Sequence, residues 1–305
     1  MTDDARSTPT LIAHRGFAGE NPEKTVAAVE RAAGVARSDG PVGSGALGGR
    51  RADWIEVDVM PTADGDAVVI HDAELSGRGG RGDAGTVVDR GLTDATGVVW
   101  ETDTATVTGA EVLDSGDTVP LLADALDAVP PDVGVNVELK NPGRRDLRQG
   151  EKLAGDALAA RTDAWRPFAE RALDAVAGHG NDLLFSSFCE GALAAVRELS
   201  SRPVAPLFGE SIADGLAIAR EHDAAAVHPP VDAIRGTPFF DAERFGGSGT
   251  ASGSEVAGGS DLVAAAHDEG RAVNVWTVAT WYQADRLAAA GVDGVIADYS
   301  TLLRD

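Results

Sequence analysis

Two short stretches of this sequence place carboxylates so that a strand would turn them the same way. In Trp54-Ile-Glu-Val-Asp-Val59, side chains two apart share a face, so Glu56 and Asp58 project together while Ile55 and Val57 project oppositely. Neighbouring carboxylates repel, and a divalent cation is a common remedy when both are buried. Alone, such a Glu-x-Asp pair reads more simply as the polar face of a half-exposed strand. A second stretch shifts the balance. In Val135-Asn-Val-Glu-Leu-Lys140, alternation puts Asn136, Glu138 and Lys140 on one face. Strands covered on both sides should be apolar throughout, and inward charges are costly unless paired or functional. Glu56, Asp58 and Glu138 would together offer hard oxygen ligands to one divalent cation, Mg2+ or Ca2+, with Lys140 offsetting the charge of a bound phosphate.

Histidines stand near these carboxylates in the expected scaffold. His14 ends an apolar run in Ala-His-Arg-Gly-Phe, and His71 ends another in Val-Ile-His-Asp. A single strand-end histidine is ordinarily structural or solvated. A matched pair can accept and donate protons near neutral pH. Arg15 offers a planar donor fork for phosphate, or else a surface ion pair. Trp276, in Asn274-Val-Trp-Thr-Val278, could line an apolar pocket for a glycerol or alcohol moiety, or simply fill the core. His228 ends a further run and could contact substrate; His179, His222 and His267 receive no role. No G-x-S-x-G elbow surrounds Ser186 or Ser187, and neither a P-loop nor a dinucleotide glycine fingerprint is present.

These side chains need a frame. Strand candidates are Leu11–His14, Trp54–Val59, Ala67–His71, Gly134–Lys140, Asp182–Ser187, Val204–Phe208, Ala225–His228, Ala272–Val278 and Gly294–Asp298. Helical patterns lie between them. One is introduced by Pro22, with Val26, Val29 and Ala33 on one face. Another follows Thr280 through Ala284, Leu287 and Ala288 and stops at Gly291. Alternation over the whole length predicts an α/β fold with a parallel sheet: a (β/α)8 TIM barrel if Ala67–His71 forms a local hairpin, with an open doubly wound sheet as the rival. One catalytic domain over 1–305 is expected, with a small insertion at 73–119 after the second strand region. Segments 38–51 and 246–260, rich in glycine, read as excursions.

Composition narrows the partners. The 305 residues carry a formal net charge of −23, and the basic residues include only three lysines, Lys24, Lys140 and Lys152. Such a surface stays hydrated in concentrated salt, which suggests a halophilic protein; an ordinary acidic enzyme is the alternative. It disfavours nucleic acid and anionic membranes as partners. A lone cysteine, Cys189, forms no intrachain disulfide. The polar, acidic opening lacks a signal-peptide pattern and no apolar run is long enough to span a membrane, so a cytoplasmic location without a stable membrane anchor is expected.

The ordered motifs resemble the glycerophosphodiester phosphodiesterase family. Ala13-His-Arg-Gly16 and Pro22-Glu-Lys-Thr25 look like that family's H-R-G…P-E-N-T opening. Glu56-Val-Asp58, His71-Asp72, Glu138-Leu-Lys140, Phe185-Ser-Ser-Phe188, Val275-Trp-Thr277 and Gly291-Val-Asp-Gly-Val-Ile-Ala-Asp298 follow in the family's order. The resemblance implies a lipid-metabolism hydrolase that splits a small glycerophosphodiester into glycerol phosphate and an alcohol. It implies a divalent metal on Glu56, Asp58 and Glu138, His14 and His71 as the acid–base pair, and Arg15 and Lys140 on phosphate. Lys24 departs from the pattern, standing where the family usually has Asn. The competing expectations are a phospholipase C- or D-like enzyme directed at lipid, a non-catalytic phosphodiester-binding barrel, and an open-sheet domain binding another small anion.

Overall fold

In a computed structural model, residues 8–35, 49–76, 92–246 and 261–303 are described, together with the backbone of two short strands at 80–81 and 87–88. The parallel strands are β1 (Thr10–His14), β2 (Trp54–Pro61), β6 (Gly134–Leu139), β7 (Leu183–Ser187), β8 (Val204–Pro206), β9 (Ala226–Val227), β10 (Ala272–Val278) and β11 (Gly294–Ala297). They follow one another as β8-β7-β6-β2-β1-β11-β10-β9. The Ala225 amide donates to the Val204 carbonyl and the His228 amide to the Pro206 carbonyl, which joins β8 to β9 and closes the ring. The chain is a (β/α)8 TIM barrel.

The strand candidate Ala67–His71 is shorter than expected. β3 (Ala67–Val69) pairs antiparallel with the end of β2, Val59 opposite Val69 and Pro61 opposite Ala67. This hairpin carries His71 back toward the barrel mouth, with the Ile70 amide bonded to the Asp58 carbonyl. Beyond it, β4 (Gly80–Arg81) pairs with β5 (Val87–Val88), and α2 (Thr104–Gly109) precedes α3 (Leu122–Asp127). Met60, Val68, Ile70, Leu75, Val99, Val107 and Val112 form a second apolar cluster, apart from the main core. The expected excursions at 38–51 and 246–260 lie largely outside the described residues.

Outer helices cover the sheet. α1 is Val26–Ala32, α4 Gly155–Val176, α5 Glu190–Leu199, α6 Ile212–Glu221, α7 Ala242–Phe245, α8 Leu262–Asp268 and α9 Trp281–Ala289. Pro22 stays outside α1. Thr25 is the N-cap, its hydroxyl accepting from the Ala28 amide; of the expected face, Val29 and Ala33 are buried and Val26 is half-buried, and Ala27, Ala28 and Ala32 are buried as well. α9 begins with a Thr280–Gln283 capping box and is followed by Gly291 at φ +85°.

Side-chain alternation sets what faces inward. Ile55, Val57, Val59, Val135, Val137 and Leu139 join the main core under the helices. Their neighbours Trp54, Glu56, Asp58, Asn136 and Glu138 therefore turn into the barrel. Trp54 packs with Leu184, Ala205, Ala226 and Ala272 at the end where the strands begin. Gly134 makes room for it: a Cβ there would lie 2.3 Å from the indole. An apolar plug thus fills one end, and polar residues occupy the interior above it.

Candidate active site

Register builds the site. Glu56 lies opposite Asn136 and Asp58 opposite Glu138, so four polar side chains from β2 and β6 share the barrel interior. Glu56, Asp58 and Glu138 are 3%, 1% and 6% exposed. Each offers an oxygen within 4.8 Å of the others. Glu56 Oε1 and Asp58 Oδ2 accept no hydrogen bond. Orphaned buried carboxylate oxygens are rare because each forfeits its hydration, so their convergence fits a hard, oxygen-seeking divalent cation.

Their electrostatics agree. Burial, then the charges of Asp58 and Glu138, push Glu56 well above the ordinary carboxylate range. Burial also raises Glu138, more than Lys140 can offset. Asp58 goes the other way: burial is outweighed by Lys24, Lys140, His71 and Arg15, which hold it well below its usual value. Two of three carboxylates therefore tend to take up protons in the absence of a further cation.

The cations turn inward toward this cluster. Lys140 Nζ lies 2.9 Å from Glu138 Oε1 and 3.2 Å from Asp58 Oδ1. Arg15 Nη1 is 3.2 Å from Glu23 Oε1 and its Nε 3.5 Å from Asp58 Oδ2. The Arg15 amide donates to Glu56 Oε2 at 3.0 Å. The loop after β1 is tightly constrained: Arg15, Phe17 and Lys24 all have positive φ, and a Cβ on Gly16 (φ +73°) would meet the Ala28 Cβ at 2.9 Å.

Both histidines reach the mouth, each with a carboxylate on one ring nitrogen. His14 Nδ1 is 2.6 Å from Asp298 Oδ1, and His71 Nδ1 is 2.8 Å from Asp72 Oδ1. Such pairing favours a proton on Nδ1 and leaves Nε2 to exchange one. Burial lowers the His71 pKa, with the Asp72 hydrogen bond and the Asp58 charge opposing. A cavity of about 140 Å³ brings together His14, Arg15, Glu56, Asp58, His71, Asn136, Glu138, Lys140, Phe188 and Trp276. Trp276 stacks edge-on to Phe188 and donates its indole N–H to the His228 carbonyl at 2.8 Å.

All eight residues singled out from the sequence line this cavity. His228 does not; it is fully buried, with Asn274 Nδ2 3.1 Å from its Nε2. His179, His222 and His267 pair with Asp127, Glu190 and Asp293 elsewhere. Sequence reasoning passed over Asp298, although the strand-end rule that found His14 applies equally to it. It also gave no role to Asn136, whose side-chain nitrogen and oxygen are buried without partners.

The sequence model of the "Glycerophosphoryl diester phosphodiesterase family" matches residues 48–302. The chain belongs to this family. The matched span leaves out β1 with His14 and Arg15, which the barrel itself brings to the site. Family-type folds recur among solved structures. A phosphodiesterase from Oleispira antarctica, in complex with its product sn-glycerol-3-phosphate, aligns with TM-score 0.65 and 22% identity over 96% of this chain and 94% of its own. A glycerophosphodiester phosphodiesterase from Thermotoga maritima aligns with TM-score 0.60 and 19% identity, covering 97% of each chain. In sequence, 132 residues are 34% identical to the protein YqiK of Bacillus subtilis (strain 168), 43% of this chain and 45% of that protein's length. Among the described residues no helix is long and apolar enough to cross a membrane.

Proposed function

We propose that this chain hydrolyses small glycerophosphodiesters to glycerol phosphate and an alcohol, with one divalent cation, Mg2+ or Ca2+, on Glu56, Asp58 and Glu138. The observation that carries the reading is the convergence of three buried carboxylates, two of them with orphaned oxygens, beneath two carboxylate-paired histidines. The family membership and the product bound by the Oleispira relative point the same way.

The cation, when bound, would supply Lewis-acid charge for the phosphodiester oxygens. The chain's own residues do the rest. Arg15 and Lys140, already facing the cluster, would hold the remaining phosphate charge by shifting from carboxylate to phosphate oxygens. His71, whose lowered pKa keeps its ring neutral, would take the proton of the attacking water or of a neighbouring glycerol hydroxyl. As the phosphorus–oxygen bond to the alcohol breaks, His14 would give that oxygen its proton. Asp298, bonded to Nδ1, would hold the His14 ring so that Nε2 faces the leaving oxygen. Trp276 and Phe188 would form the apolar wall for the glycerol or alcohol carbons. The net charge of −23 suits work in a salt-loaded cytoplasm.

A second reading has one observation in its favour. Trp281, Tyr282 and Tyr299 are 65%, 45% and 38% exposed, on segments that follow β10 and β11 and so lie on the mouth side. Exposed aromatics at a mouth suit a lipid-directed, phospholipase C- or D-like phosphodiesterase. Turnover of a water-soluble glycerophosphodiester in high salt, with Mg2+, Ca2+ or EDTA, separates the readings. Metal-dependent release of glycerol phosphate supports the first. Turnover confined to vesicle-borne lysophospholipid supports the second, and no turnover of either with any metal removes both.

A further inference from the structure

Lys24 is a charged side chain beside this site that the reaction does not use. It is one of three lysines in the sequence, and a second, Lys140, lies beside the same carboxylate. Its side chain is 2% exposed, and its ammonium lies 3.3 Å from Asp58 Oδ2 and 3.0 Å from Glu23 Oε1. The backbone works to hold it there. Lys24 sits at φ +66°, a conformation that costs most residues and suits Gly or Asn, and its amide is tied to the Arg15 carbonyl.

The contact with Asp58 is made by charge alone, since Oδ2 accepts no hydrogen bond. That same oxygen is one of the two in the cluster without a hydrogen bond, and Arg15 Nε also lies 3.5 Å from it. A divalent ion ligated there would stand a few ångströms from a buried ammonium, with little water to screen them. Glu23 supplies the alternative: it already bonds Lys24 Nζ and is only partly buried, so the ammonium can swing toward it without losing every partner.

We propose that Lys24 is a built-in competitor of the divalent cation: its ammonium occupies the charge position at Asp58 and must withdraw toward Glu23 before a metal can bind. This rests on the reading of Glu56, Asp58 and Glu138 as the metal site. The site would therefore be charge-balanced and ordered without metal, and would load only at high metal concentration.

The test is calorimetric titration of the metal-free full chain with Ca2+ and with Mg2+, in the wild type, Lys24→Asn, Lys24→Gln and Glu138→Gln. Asn suits the positive φ, and Gln keeps more of the stem should Asn not fold. Metal affinity should tighten by about ten-fold or more in the neutral Lys24 variants, and fall in Glu138→Gln. Thermal unfolding provides the second readout: the neutral variants should melt lower than wild type without metal and show a larger rise with it. Wild-type binding that is unchanged or weakened in both neutral variants overturns the competition while leaving the metal site intact. Absence of divalent binding by every form, including the neutral variants, overturns the metal site and the proposal with it.

Discussion

The imidazole of His14 and the carboxylate of Asp298 meet at 2.6 Å although 284 residues separate them. The pair straddles the seam between β1 and β11, where Ala13 lies opposite Ala297. Asp298→Asn removes the charge and keeps the shape, so it should disturb proton delivery by His14 more than substrate binding. We expect kcat to fall by about 10²–10⁴-fold with KM changed much less, measured by steady-state release of glycerol phosphate. An equal rise in KM at unchanged kcat would assign Asp298 to binding.

Each histidine is expected to matter separately. His14→Ala and His71→Ala should each lower kcat by about 10²–10⁴-fold while leaving divalent-metal affinity near wild type. Turnover unaffected by either change would remove that residue from the proton chain. The double variant should lose less than the product of the two single losses, because both act in one reaction.

His228 makes stability depend on pH. Burial drops its pKa from 6.5 to about 3, so it folds neutral while the unfolded chain takes up a proton below 6.5. Its contribution is complete above pH 6.5 and declines as pH falls, by up to about 1.4 kcal/mol per unit, until the folded pKa is reached. His228→Gln should be less stable at pH 8, having lost packing, yet show a shallower loss between pH 6.5 and 4.5. Parallel denaturant-melt curves for the two proteins over that range would count against this role.

Salt should act on the surface rather than on the cluster. With a net charge of −23, mutual repulsion is strongest in dilute buffer. Raising KCl from about 0.1 M to about 2 M should lift Tm by several degrees. A flat or falling Tm would make the acidity incidental.

Much of the barrel and site can be read from period and position. The two-residue repeat places Glu56, Asp58 and Glu138 on inward faces, and the register observed between β2 and β6 brings Asp58 opposite Glu138. Strand-end position identifies His14. Other features depend on contacts between distant segments. Nothing local to Lys24 says that its ammonium will reach Asp58, because that depends on a loop with three non-glycine residues at positive φ. Pro22 resembles a helix start, but the Thr25 hydroxyl takes the capping role and shortens the helix. The length of β3 is likewise set by its pairing with β2, not by its apolar run.

The seam at β1 and β11 also bears on how the protein comes into being. Translation at about 5–20 residues per second leaves β1 without its second neighbour for on the order of 15–60 s after it is made. Throughout that interval the strand carries an open edge, the kind of surface that invites pairing with another chain. The carboxylates of β2 and β6 are synthesised well before Asp298. A nascent polypeptide thus carries its acidic cluster early and completes its His14 pair only when the last strand docks.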